Sequence, residues 1–154
     1  MKQVWTQDPP WIHPVGPKIA DGVSVTFPPT GLTAVVRIDG AATSDEYRLL
    51  EAVSEGFRFP AYFGWNFDAL IDCLRDLSWY EADRYLVVIE RSDSLLGGDT
   101  ASLTLLASAF VRSGAHWASP SMSGRTVPVA FNVVLFDCVS SLEFWREKAN
   151  LRSR

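Results

Sequence analysis

The amino-acid sequence predicts an α/β domain: a small three-stranded parallel sheet with helices packed on it. Two observations carry that expectation. Three short apolar runs, at 32–38, 85–89 and 127–136, have the length and composition of strands. The stretches between them hold segments whose apolar residues recur at three- and four-residue spacing, the mark of amphipathic helices. Strands that alternate with helices imply right-handed crossovers and therefore parallel pairing. With 154 residues, 47% of them hydrophobic, the chain is long enough for one packed core.

Taken in order, residues 1–31 form a Pro/Trp-rich appendage. Six of the nine prolines fall in 1–29, and proline fixes φ and removes a backbone donor, so most of this stretch is extended. Its tryptophans are expected to pin it, and Val23 to Phe27 has the composition of a short edge strand. The domain proper is expected over 32–138, with a C-terminal helix and basic tail over 139–154. The first strand, Leu32 to Ile38, ends at the turn signal Asp39-Gly40. Thr43 and Glu46 have capping-box spacing and open a helix that ends about Gly56, with Tyr47, Leu50, Val53 and Phe57 on its buried face. A loop at 57–65 leads to a second helix over about 66–78. Tyr85 to Ile89 is continuously apolar, as in a strand covered on both faces. Asp99 or Thr100 caps a third helix that ends near Gly114. A Ser- and Gly-rich loop at 115–126 precedes the third strand, and Ser140 with Glu143 signals a last helix.

The second helix carries most of the functional information. At about 100° per residue, Phe67, Leu70, Ile71, Leu74 and Leu77 fall on one stripe, while Asp68, Asp72 and Asp76 line the opposite side one turn apart. Like charges at this spacing repel by roughly 0.2–0.5 kcal/mol per pair. Asp68 lies in the first turn, where the helix dipole favours it if Asn66 is the N-cap; Asp72 and Asp76 lie beyond that help. Arg75 relieves part of the repulsion. Either the face is simply solvated, or it meets a cationic partner.

Charge is arranged in the same sense. The chain carries -4 in total, but residues 60–99 alone carry -5, and the bases gather toward the C-terminus. Such a field steers basic partners and argues against nucleic-acid binding, which needs a basic surface. No apolar run approaches the ~20 residues that cross a bilayer. No signal-peptide core follows Met1, and Cys73 and Cys138 are the only cysteines, so a reduced cytoplasmic setting is expected, with no disulfide scaffold.

Pro60 to Leu74 reads Pro-x-Tyr-[aromatic]-Gly-x-Asn-x-Asp-Ala-Leu-x-Asp-Cys-Leu, which resembles the signature segment of the barstar family, intracellular inhibitors of the ribonuclease barnase. The order of elements over about 32–136 is also similar. The resemblance implies a protein-binding function without catalysis: the loop and helix plug the active site of a secreted ribonuclease or related toxin domain. Residues matching Asp68 and Asp72 face its cationic phosphate-binding groups, and the residue matching Tyr62 packs on the rim. It implies a partner-binding set of Tyr62, Phe63, Gly64, Trp65, Asn66, Asp68, Ile71, Asp72, Arg75 and Asp76. Gly64 is expected to allow a tight turn and Asn66 to cap the helix. No cofactor, metal, membrane or nucleic-acid partner is expected, and the free chain is expected to be monomeric.

The chain departs from the family pattern at several points. Ile71 stands for a tryptophan, Arg75 for a threonine and Trp65 for an acid. The acidic contact from the third helix falls on Ala109 if the helix ends at Gly114. Trp65 is either a new aromatic anchor or packing beneath the loop. Two other readings compete. A barstar-like regulatory interaction module would have no nuclease partner. A carboxylate-dependent hydrolase would use Asp68 and Asp72, but His13 and His116 look isolated, Cys73 and Cys138 lack paired spacing, and Gly97-Gly98-Asp99 is a common helix lead-in.

Overall fold

A computed structural model of the protein describes residues 4–16 and 30–151. Among the described residues four strands form one parallel sheet: β1 (Ile12–Pro14), β2 (Thr33–Asp39), β3 (Arg84–Glu90) and β4 (Ala130–Leu135), in the spatial order β1-β4-β3-β2. The helices are α1 (Glu46–Phe57), α2 (Phe67–Asp76), α3 (Thr100–Ala118), the single turn α4 (Pro120–Ser123) and α5 (Leu142–Ala149). Among the described residues no single helix is long and apolar enough to cross a membrane.

The three expected strands are present, and a fourth extends the sheet. It comes from the proline-rich N-terminal stretch, at Ile12–Pro14; the edge strand expected at 23–27 lies outside the described residues. Pro14 is tolerated because β1 is an edge strand, where a missing N–H removes no ladder bond. The strand is only three residues long and is recruited by pairing with β4, so no local pattern announces it.

Alternation along the strands divides the core. Ala34, Val36 and Ile38 of β2, Tyr85, Val87 and Ile89 of β3, and Phe131, Val133 and Leu135 of β4 face the helices. The opposite face buries Leu86, Val88 and Val134 beneath Val4 and Val15. Asn132, fully buried on β4, ties the N-terminal segment down: its Nδ2 donates to the Thr6 carbonyl at 2.8 Å, and its Oδ1 lies 2.8 Å from His13 Nε2. The N-terminal segment is thus built into both faces of the sheet.

Trp11 explains why α3 outruns its expected end. Gly114 does not stop the helix; it makes room for the indole, and a Cβ there would run into the Trp11 ring. The helix continues through His116 and Trp117 to Ala118, taking in the start of the expected loop, whose residues 120–123 then make α4. Gly114→Ala is therefore expected to lower stability by about 1–3 kcal/mol through overpacking, despite a helix-propensity gain of up to ~1 kcal/mol. A lower Tm in thermal unfolding checks this.

Two caps also differ from expectation. α1 is capped by Asp45, whose carboxylate accepts from the Arg48 amide at 2.8 Å. Thr43 is instead buried, its hydroxyl donating to the Asp39 and Gly40 carbonyls. At the last helix the expected Ser140/Glu143 box is replaced by a carboxylate from elsewhere in the chain. Asp93 accepts from the amides of Val139, Ser140 and Ser141 and from the Ser141 hydroxyl, at 2.7–3.1 Å.

Burial alone would raise the Asp93 carboxyl, but the Ser141 hydroxyl and the three amides outweigh it and hold it below the ordinary carboxylate value. The stability it contributes is complete above its unfolded value, about pH 4, and is lost as pH falls through the lower folded value. Asp93→Ala should cost about 1–2 kcal/mol at neutral pH, as for a lost cap. The variant should lose less stability than the parent on acidification, as read from denaturation midpoints.

Candidate protein-binding site

The helix α2 forms as its residues dictate. Asn66 is the N-cap, its side-chain oxygen accepting from the Ala69 amide at 2.8 Å. Phe67, Leu70, Ile71, Leu74 and Leu77 are buried, and Asp68, Asp72 and Asp76 are exposed. Leu77 ends the helix in the left-handed region, at φ 48°. Among the described residues the Asp68 side chain makes no hydrogen bond or ion pair. Asp72 pairs with Arg75 at 3.3 Å, and Asp76 accepts from the Ser78 amide at 3.3 Å.

The last turn of α2 is held from α3. The Trp117 indole N–H donates to the Leu74 carbonyl at 2.8 Å, and the His116 ring lies near the Arg75 backbone. His116 is thus half-buried in a helix rather than isolated in a loop. Its burial, then the Arg75 charge, depress its pKa more than the Arg75 backbone raises it, so it is neutral at pH 7. A bond from the core to an otherwise unpaired helix-end carbonyl anchors the acidic helix. Bound this way, the carboxylates are displayed on a rigid support.

The preceding loop wraps around α2. Arg58 closes α1 in the left-handed region, and beneath the loop Phe59 meets Phe63 edge-on at 5.0 Å and Trp79 at 6.0 Å. Trp79 also donates to the Phe57 carbonyl at 2.9 Å. Tyr62 is 69% exposed, and its hydroxyl lies 3.5 Å from Asp76. Partial desolvation, then the Asp76 charge, raise the Tyr62 phenol above its ordinary value, so it stays a protonated donor at neutral pH.

The loop differs from expectation in where its turn is made. Gly64 does not take the left-handed conformation; Trp65 does, at φ 55°. A non-glycine residue there costs on the order of 1 kcal/mol. A Cβ on Gly64 would press on Ala69 at 3.3 Å, so its smallness matters for the close approach of loop and helix. Trp65 is 44% exposed and stacks on Tyr47, with ring centroids 5.3 Å apart and planes 16° apart.

Tyr47 was expected on the buried face of α1 and is 61% exposed. It is the second residue of the helix, and helical side chains lean toward the N-terminus, so its ring reaches past the helix start to the loop. Phe63 and Ile71, by contrast, are 5% and 7% exposed; they support the surface from beneath and present almost nothing on it. The exposed members of the expected set are therefore Tyr62, Gly64, Trp65, Asn66, Asp68, Asp72 and Asp76, with Arg75 half-buried beside them. Tyr47 and Trp79 were missed by sequence reasoning.

Ala109 is fully buried, so it presents no contact, and α3 contains no Asp or Glu along its whole length. The carboxylates of this surface come from α2. Cys73 is buried, and its thiol is pushed up first by that burial and then by the Asp72 and Asp76 charges, which disfavours the nucleophilic thiolate. Among the described residues no group of His, Cys, Asp and Glu side chains is placed to hold a metal ion.

A protein-family model described as Barstar (barnase inhibitor) matches residues 33–135, about two thirds of the chain. The span runs from the start of β2 to the end of β4 and includes the whole of α2 and its loop. No curated protein matches the chain.

Proposed function

Because the chain belongs to the barstar family, we propose that it is an inhibitor that occludes the cationic active site of a secreted ribonuclease or related toxin domain. The producing cell holds it in the cytoplasm as an immunity protein. One observation carries the reading: three exposed aspartates, one turn apart, on a helix whose other side is core and whose end is fixed to α3. A ribonuclease site gathers cations to hold phosphate, and a rigid row of carboxylates offers it the charge of its substrate. Display on a preformed helix lowers the ordering cost of binding, and charge complementarity speeds encounter.

Arg75 distinguishes this surface from a purely anionic one. It neutralises part of Asp72 in the free chain and places a cation within the acidic row. The site it fits has cations opposite Asp68, Asp72 and Asp76, with room or a counter-charge opposite Arg75. The testing experiment is steady-state inhibition of a panel of purified basic ribonucleases, barnase among them. Inhibition of at least one, weakening as salt is added because rim charges are screened, supports the proposal. Absence of binding to every member, at low salt and with the folded chain in excess, contradicts it.

A further inference from the structure

We infer that the partner-facing surface extends beyond α2 to the first turn of α1, where Tyr47 and Trp65 form an aromatic platform for an arginine side chain of the basic partner. The inference rests on the proposed inhibitory function and specifies what the partner brings to one edge of the interface.

Tyr47 and Trp65 are both large and substantially exposed, and they stack across two segments, the start of α1 and the loop before α2. Tyr47 stays 61% exposed with Trp65 stacked on it, so most of the ring is open to a ligand. Trp65 is held between Tyr47 and Phe63, whose ring centroid is 5.2 Å away and whose side chain is core. Its left-handed backbone adds a second constraint, since bulky residues adopt that conformation only where the surroundings enforce it. The pair is thus preorganised, so a ligand seated on it would not have to order it first.

Charge selects the occupant. Glu46 adjoins Tyr47 and Asp68 lies in the first turn of α2, and neither is in an ion pair among the described residues. Arg48, the nearest base on α1, is engaged by Asp45 at 3.6 Å. An aromatic face carries negative electrostatic potential, and carboxylates beside it deepen the preference for a cation. Guanidinium stacks flat on an aromatic ring, whereas a lysine ammonium is a compact, strongly hydrated point charge. Arginine is therefore favoured over lysine.

The test uses tetra-arginine and tetra-lysine peptides titrated into the full 15N-labelled chain, with the Trp65 indole signal assigned through Trp65→Phe. Tetra-arginine is expected to shift that signal and to bind about two- to fivefold more tightly than tetra-lysine. Tyr47→Leu keeps apolar bulk without the ring, and the amide spectrum checks its fold. It should abolish the difference, lowering arginine affinity to the lysine value. Equal affinities in the parent, or a preference that survives Tyr47→Leu, would overturn the platform. If Asp68→Asn with Asp72→Asn then weakens both peptides, the acidic-face reading stands without it. Failure of both peptides to bind the parent at low salt would overturn both readings.

Discussion

Asp72→Ala is expected to weaken the complex with the cognate nuclease by at least about thirtyfold, the loss of ~2 kcal/mol or more found when one member of a desolvated charge pair is truncated. Asp72 is the middle carboxylate of the row, one turn from Asp68 and one from Asp76, and the centre of an interface is where water is best excluded. Its removal frees Arg75, so the site loses an anion and gains an unopposed cation. Asp68→Ala should rank second, because Asp68 lies at the edge of the row. Both residues are exposed, so unfolding midpoints should stay near the parent's while calorimetry or inhibition constants change. A loss of affinity matched by a loss of stability would mean the aspartates act through folding. Asp68→Ala weakening the complex more than Asp72→Ala would move the centre of contact toward the loop.

The largest effect on stability is expected from Trp11→Ala, at about 3–5 kcal/mol, on the order of 10 °C in Tm for a domain of this size. Trp11 is a core residue that fills the space over Gly114. Its carbonyl accepts from the Val133 amide at 2.8 Å, and its indole N–H donates to the Gln7 carbonyl at 2.9 Å. Truncation removes the ring that holds β1 against α3, and the surrounding helix and sheet can only partly collapse into the space. Tm and denaturant midpoint together measure the loss. A variant as stable as the parent would show that the N-terminal strand is dispensable for folding.

These two residues mark what could and could not be read from the chain. The face of α2 was legible because its physics is local: five apolar residues at helical spacing, three aspartates opposite them, and an asparagine cap directly before. The runs that became β2, β3 and β4 were legible for the same reason. Trp11 was not, since its burial and the short strand beside it depend on β4 and α3, more than a hundred residues away. Gly114 carried the ordinary signal of a helix end, and that signal was overruled by an indole packed onto it. Asp93 likewise caps a helix almost fifty residues downstream, where the local serine and glutamate had suggested a self-contained box.

Within the site, the loop was recognisable as a motif but not as a shape. The glycine in it suggested where the chain turns; the strain falls instead on Trp65, which the Tyr47 stack and the Phe63 contact hold in place. Tyr47 fitted the buried stripe of α1 by spacing alone. At the second position of a helix, however, a side chain leans over the preceding chain instead of the core. Spacing rules fail at helix ends for that reason, and here the failure hid an exposed aromatic pair beside the acidic face.

The central claim is that the acidic face of α2 takes the place of substrate phosphates in the active site of a nuclease. Its most direct test is the inhibition of a bound ribonuclease measured at increasing oligonucleotide concentration. The account predicts purely competitive inhibition, with the apparent inhibition constant rising linearly with substrate and binding suppressed when a mononucleotide fills the active site. A complex that forms equally well with the site filled would contradict it.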